Sequence, residues 1–453
     1  MQGASLRGVV SIGVTKAEVP QFEQVESNGV AFAVGFFFSF RLLIVLLSVR
    51  ILGLEPSVGT ALSLALDVLL LGLACFSLLG TAHTSLQSIL GLSTLRWVLV
   101  FLAVSFCSLA WSETASLPNS AAYWLGLAVD VAITIVLLRS PFIATMSHSL
   151  MKGFIWSTCL LALIAWIMPA QADLRLGDER FFNTNEIGNL CAFAIFLAQY
   201  LTRRRDGRWG LVTFFLLATL IRSLSKTTLI AFLLSESFLL VQDRSMSRKT
   251  KVILMMTATS LILVFWGLFE AYYDIYTTAG NQVETLTGRT AIWFYVLNAV
   301  FDHPWNLWIG HGFDSWWKVV PPFGGEQFEA RHAENELLQQ FYAYGTLGVI
   351  TLVGLYVSLF RQVRRLSRNP ARVLFLSMLL FIVVRGLAEA DSFDLLLPLW
   401  LIVLLTVLAD HEVARGSVFV ESSPLGQFQS GNSQSAGSYG MSQMFRRTPG
   451  NQA

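Results

Sequence analysis

The sequence predicts an all-α, polytopic membrane protein of about twelve transmembrane helices with one large outer loop, and three observations carry that reading. Of 453 residues, 54% are hydrophobic and only 13% are charged, with a mean hydropathy of +0.60, whereas a soluble domain carries about 25% charged residues. Apolar runs of membrane-crossing length recur along the chain: a spanning helix needs about 20 mostly apolar residues. In lipid the backbone must bond within its own segment, so such runs are helices. Lysine and arginine also segregate to alternate connections, as they do when cytoplasmic loops carry the positive charge.

Twelve runs qualify, near 29–49, 58–80, 95–112, 120–138, 150–168, 186–202, 208–221, 227–242, 252–269, 337–360, 371–388 and 393–409. The seventh and eighth are short. With both ends of the chain inside, 21 Lys and Arg residues lie in inner segments and 8 in outer ones, while Arg41 and Arg385 fall within spans. An even number of spans with both termini cytoplasmic follows. No repeat of 20–50 residues is visible.

The chain divides into a polar cytoplasmic tail, 1–27, a membrane body, 28–410, and a cytoplasmic tail, 411–453. Residues 1–27 contain no short apolar stretch with a cleavage site, so no removable signal peptide is read there. In the last 43 residues 19 are Ser, Gly or Gln, a composition expected to remain disordered. The longest connection is 270–336, an outer loop of 67 residues. Loops of that length are functional or disordered, and its aromatic content predicts order, with short helices inside it.

Composition also excludes functions. A net charge of +2 offers no polyanion surface, so nucleic acid is not expected as a partner. Cys75, Cys107, Cys159 and Cys191 each lie inside an apolar run and are expected to be small buried hydrophobes, not disulfides or zinc ligands. No metal-ligand spacing and no cofactor motif is present, so neither a metal nor a cofactor is expected.

The candidate chemistry concentrates in the outer loop. It holds Trp293, Trp305, Trp308, Trp316 and Trp317, and His303, His311 and His332. From Thr287 a helical pattern opens in which Ile292, Val296, Leu297 and Val300 share a face, suggesting an amphipathic helix at the membrane surface. Arg289 falls in its first turn, where free N–H groups and the helix dipole favour an anion. It either holds a phosphate there or faces solvent and lipid headgroups. The tryptophans are either interfacial belt residues or flat faces for sugar rings, with Trp316 and Trp317 the chosen substrate contacts. Gly310-His311-Gly312 reads as a turn.

The loop ends in His332-Ala333-Glu334-Asn335, where a neutral imidazole beside a carboxylate suits a general base; a structural histidine at a helix end is the alternative. Arg222, Ser225 and Lys226 in another outer turn suit a phosphate or ordinary capping. Within spans lie Arg41, Asp67, Asp130, Glu236 and Arg385. A charge at the bilayer centre costs about 2.5–3.5 kcal/mol on insertion scales, so Arg41 is expected to pair with Asp67 or Asp130. Glu389, Asp391 and Asp394 in a short outer turn read equally as solvated or functional.

Five stretches together resemble the O-antigen ligase and polysaccharide polymerase superfamily of bacterial inner membranes. They are Ser108-Leu109-Ala110-Trp111-Ser112-Glu113; Phe182-Asn183-Thr184-Asn185; Ser225-Lys226-Thr227-Thr228; Gly288-Arg289 with Ile292-Trp293, followed by Gly310-x-Gly312-Phe313; and His332-x-x-Asn335 followed by Gly345-x-x-Gly348. They cover about residues 105–350. Many members carry His immediately before the Asn, where this chain has Glu334, so either His332 or Glu334 takes the catalytic-histidine role. Lys226 stands where arginine is common, which keeps the charge and loses the two-pronged contact.

The resemblance implies metal-independent glycan transfer at the periplasmic face of the inner membrane, from an undecaprenyl-pyrophosphate-linked glycan to a sugar hydroxyl. Arg289 would stabilise the diphosphate, helped by Arg222, Lys226 and Arg331; His332 with Glu334 would activate the acceptor, beside Asn335. Membrane lipid and other polysaccharide export proteins are the expected partners. Joining repeat units of an exopolysaccharide or O-antigen is the favoured reaction. Ligation to lipid A–core, protein O-glycosylation and lipid-linked sugar transport are the alternatives, in that order.

Overall fold

The computed structural model describes residues 28–79, 84–171, 174–177, 182–243, 246–278, 286–316, 332–366, 370–391 and 393–421. Among them no β-strand occurs, and the elements are helices throughout. In chain order they are α1 (Gly29–Arg50), α2 (Pro56–Ser77), α3 (Leu86–Leu90), α4 (Ser93–Ser108), α5 (Leu117–Leu138), α6 (Ile143–Ile167), α7 (Thr184–Arg203), α8 (Gly210–Arg222), α9 (Lys226–Gln242), α10 (Arg248–Val264), α11 (Trp266–Thr278), α12 (Leu286–Asp302), α13 (Pro304–Ile309), α14 (Glu336–Arg364), α15 (Pro370–Gly386) and α16 (Leu399–Glu421). A helix stands at each of the twelve apolar runs. Five are long and apolar enough to cross a membrane: α1, α2 from Ser57, α5, α6 and α14. Counted as one broken span, α10 and the start of α11, bent by 47°, bring the number among the described residues to six.

The centre of the bundle is the crossing of α1 on α6. Gly35 and Gly153 face one another's helices there, and a Cβ on either would strike the partner backbone, at Leu150 and Phe32 respectively. Small residues let apolar helices approach where no water is present to drive them together. Ser39 and Thr158 share a buried hydrogen bond of 3.2 Å across the same seam. Arg41 pairs with Asp130, as the cost of an unpaired charge in lipid requires. Likewise, Gln199 Nε2 donates to Glu236 at 2.9 Å.

Two expectations are corrected. Cys191 is buried, but Cys75 and Cys107 are exposed and Cys159 is intermediate. In a membrane body an apolar run also supplies lipid-facing surface, so membership of such a run does not imply internal packing. The last helix also runs past 410 to Glu421. Glu412 pairs with Arg204, whose Cζ lies 5.5 Å from the Tyr200 ring centroid, and these contacts hold the helix to the bundle beyond 410. Residues 1–27 and the tail beyond 421 lie outside the described residues.

α14 is broken at Gly345 (φ 61°, ψ −153°). The break frees carbonyls that a coil from the outer loop then uses: the N–H of His311 donates to Tyr342 O at 3.0 Å and that of Gly312 to Ala343 O at 2.8 Å. Thr346 Oγ1 donates to Leu307 O at 2.7 Å. The coil is clamped from its other side by the end of α4, where Ser108 Oγ accepts from Phe313 N at 3.0 Å and Ser112 Oγ donates to Phe313 O. Asp314 completes the clamp by accepting from Ser120 Oγ at 2.6 Å and Thr114 Oγ1 at 3.2 Å. Burial pushes the Asp314 carboxyl above its usual range, and those two hydroxyls pull it part of the way back.

Within the loop, Ile292, Val296 and Val300 of α12 are buried against Trp316, Ala333 and Tyr342. The apolar stripe expected to lie on the membrane is thus covered by protein, and Leu297, placed on that stripe by its spacing, is exposed instead. Gly345→Ala should lower the thermal midpoint of the detergent-solubilised protein, because its Cβ would meet the backbone of Trp308 and Ile309 and a positive φ in a non-glycine residue costs about 1–3 kcal/mol.

Candidate functional site

The site is assembled from helix starts. Asn183 caps α7, its side chain accepting from Glu186 N at 2.9 Å. That cap turns the next two residues towards the α8–α9 turn: Thr184 Oγ1 donates to Ser223 O, and Asn185 Oδ1 accepts from Ser225 Oγ at 2.7 Å. The other end of the Asn185 amide donates to Glu389 Oε2 at 3.0 Å. Thr227 Oγ1 donates to the same oxygen at 3.2 Å. Glu389 is only 2% exposed. It lies just past α15, in the connection to α16, and its second oxygen, Oε1, stands 3.4 Å from His332 Nε2.

His332 is fixed by the strap that leads into α14. Asn335 caps that helix, accepting from Leu338 N at 3.0 Å, and its Nδ2 donates to Leu387 O at 3.1 Å, which ties the end of α15 to the strap. Ala333 is held at both backbone groups: its N–H donates to Gln339 Oε1 at 2.8 Å, and its carbonyl accepts from Trp293 Nε1 at 3.0 Å. Glu334 adopts φ 51°, and its N–H donates to His332 Nδ1 at 3.3 Å. An acceptor Nδ1 and a carboxylate at Nε2 assign the proton to Nε2, so the basic lone pair is on Nδ1, where the long Glu334 N–H contact uses it. Glu334 Oε1 lies 3.7 Å from that nitrogen, and its Oε2 lies 3.3 Å from Arg289 Nη2.

The structure therefore brings Arg289, His332, Glu334 and Asn335 together. Arg222 and Lys226 are placed differently. Arg222 Nη1 donates to Leu174 O at 2.6 Å, and Lys226 Nζ sits 5.0 Å from the Tyr272 ring centroid, with Arg175 Cζ 5.5 Å from the same ring. It is their neighbours Ser225 and Thr227 that join the Asn185–Glu389 network. Trp316 is 2% exposed and packs edge-on to Tyr342, ring centroids 4.9 Å apart. It backs the loop core and offers no open face to a sugar. Arg331 and Trp317 lie outside the described residues.

Two residues were named from sequence without a role in the site. Glu389 gave no signal beyond membership of an acidic turn. Arg385, one helical turn earlier, is 3% exposed; its charge faces Glu389, Asp391, Glu336 and Glu186, while its Nε and Nη1 have no hydrogen-bond partner among the described residues. Donor atoms of His332, Glu334 and Glu389 lie within 4.8 Å of one another and could hold a cation. The guanidinium of Arg289 against Glu334 already balances one of those carboxylates.

Residues 211–353, which include Arg289, His332, Glu334 and Asn335, match the O-antigen ligase family model. Over that stretch the chain is similar to O-antigen ligases. An O-antigen ligase of Pseudomonas aeruginosa is 29% identical over 105 residues, 23% of this chain and 25% of that protein. The aligned stretch thus spans a quarter of the relative's length. Asn185, Arg385 and Glu389 fall outside the stretch that matches the O-antigen ligase model.

Glu389→Gln should accumulate near the wild-type level with an unchanged thermal midpoint, because it keeps the shape and an acceptor. Glu389→Ala leaves the Asn185 amide and Thr227 hydroxyl without their partner, and breaking a buried charged network typically costs about 3–5 kcal/mol. A marked drop in midpoint for the alanine variant alone, measured in detergent, is the expected result.

Proposed function

We propose that this chain transfers a glycan from a polyprenyl diphosphate carrier to a sugar hydroxyl and joins repeat units of an exopolysaccharide or O-antigen. The reading rests above all on His332, held between Glu389 and Glu334 beside Arg289, in a stretch that matches the O-antigen ligase model. The reaction runs at the outer face of the inner membrane, with twelve spans and both termini inside. The acceptor hydroxyl displaces the long Glu334 N–H contact and gives its proton to His332 Nδ1 as its oxygen attacks the anomeric carbon. The bond from that carbon to the carrier oxygen breaks, and its electrons leave on the diphosphate. Nε2 keeps its proton and donates towards Glu389, which steadies the imidazolium as it forms. Arg289 stabilises the growing charge on the diphosphate, the largest single contribution in reactions of this kind. No metal takes part.

A hydroxyl seated between His332 Nδ1 and Glu334 Oε1 could give its proton to either, so Glu334 is the second candidate base. The second reading of the whole reaction, transfer of a finished chain to lipid A–core, is favoured by the name of the Pseudomonas aeruginosa relative, O-antigen ligase.

Arg289→Ala and His332→Ala should each abolish product while the protein still inserts and accumulates. Normal product from Arg289→Ala refutes its role, and a defect confined to Glu334→Ala moves the base to that residue. A deletion strain separates the two reactions: accumulated single lipid-linked repeats mark the polymerase, and accumulated long lipid-linked chains mark the ligase. Transfer by purified protein should survive EDTA unchanged; loss restored by a divalent ion would place a metal on His332, Glu334 and Glu389.

A further inference from the structure

The five stretches singled out in the sequence fold into two clusters. One is the network around Glu389 and His332. The other surrounds His311 and has no part in the chemistry above. There the coil between α13 and Trp316 is over-determined. His311 lies between Gly310 (φ 64°) and Gly312 (φ 95°), its N–H donates to Tyr342 O, and its carbonyl accepts from Glu113 N at 3.1 Å. A backbone held in uncommon conformations by this many contacts is a frequent mark of a functional site.

What it presents is a group of polar atoms without hydrogen-bond partners among the described residues. The His311 ring lies 4.5 Å from the Tyr342 ring, inclined by 25°. Neither ring nitrogen of His311, nor the Tyr342 hydroxyl, has a hydrogen-bond partner among the described residues, although His311 is 6% exposed and Tyr342 fully buried. Glu113 Oε1 stands 3.5 Å from His311 Nδ1, and the Glu113 side chain is 47% exposed. Buried polar atoms are ordinarily satisfied. Three together, beside a half-exposed carboxylate, leave hydrogen-bonding capacity that no described residue fills.

We propose that His311, Tyr342 and Glu113 form a subsite for one pyranose ring of the glycan, entered from the Glu113 side. This rests on glycan transfer being the function. A sugar hydroxyl both donates and accepts, which matches an imidazole with one donor and one acceptor nitrogen, a phenol and a carboxylate. The negative charge of Glu113 disfavours a phosphate in the same place. Tyr342 and Trp316 share a packed cluster with Ala333, the residue between His332 and Glu334. The subsite therefore sits at a fixed offset from the reacting groups.

The test uses the purified full chain in detergent and two probes: glycan released by mild acid from carrier lipid of the deletion strain, and the intact carrier-linked glycan. Tyr342→Phe and His311→Phe keep the stacked rings and remove only polar atoms. If those atoms were merely structural, deleting unpartnered ones would leave both the midpoint and binding as they were. The expected result is an unchanged or raised thermal midpoint with glycan binding about tenfold weaker by calorimetry, as one lost hydrogen bond of ordinary strength gives. Weakening confined to released glycan places the receiving chain in the subsite, and weakening confined to carrier-linked glycan places the donor there. Unchanged affinity for both probes in both variants, or no binding of either probe by the wild type, overturns the proposal. Arg289→Ala, assayed alongside, should still bind released glycan and lose transfer, so failure of the subsite is distinguishable from failure of the reaction.

Discussion

A carboxylate taken out of water must find its hydrogen bonds inside the protein, and that requirement at Glu389 organises this end of the bundle. Its donors come from the first turns of α7 and α9, and its free oxygen faces the strap before α14. No single element could satisfy it. The helix starts must converge for Glu389 to be buried, and once they converge His332 has only one comfortable tautomer. The cap residues Asn183 and Asn335 serve the same end: each satisfies its own helix start and so fixes the direction in which the adjoining polar residues point.

The helices were legible because hydropathy and length are local properties. Every apolar run became a helix, the cap asparagines stood where a helix had to begin, and the pairing of Arg41 with Asp130 followed from the cost of charge in lipid. Which helix ends meet is not local. Glu389 looked like one acid among Asp391 and Asp394 in a short turn, since nothing in its neighbours announced that Asn185 and Thr227, far away in sequence, would donate to it. The cysteines misled for a related reason. In a soluble protein an apolar run points inward, whereas here Cys75 and Cys107 have lipid-facing surface to occupy.

The outer loop shows the same division. Its aromatic content predicted order, and the described part is ordered as a small core of its own, with Ile292, Val296 and Val300 packed on Trp316 and Tyr342. What composition could not reveal was the use of Trp316. Its flat ring suits a sugar as well as a core, and only the break of α14 at Gly345, which opens two carbonyls to the His311 coil, decides that this tryptophan is drawn inward. The break is readable as a glycine in a helix; its consequence for a segment some thirty residues earlier is not.

Charge balance joins the two halves of the proposed reaction. Around His332 stand the carboxylates of Glu334 and Glu389 and the guanidiniums of Arg289 and Arg385, and Arg385 also faces Asp391, Glu336 and Glu186. In the proposed transfer a proton would arrive on the imidazole while negative charge gathers on the leaving diphosphate. Those charges develop in two places, and each has a fixed partner of opposite sign already waiting: Glu389 behind the imidazole and Arg289 before it. Partners that need not reorient cost nothing at the moment of reaction. On that proposal the buried network behind His332 would belong to the chemistry as much as the residues in front of it.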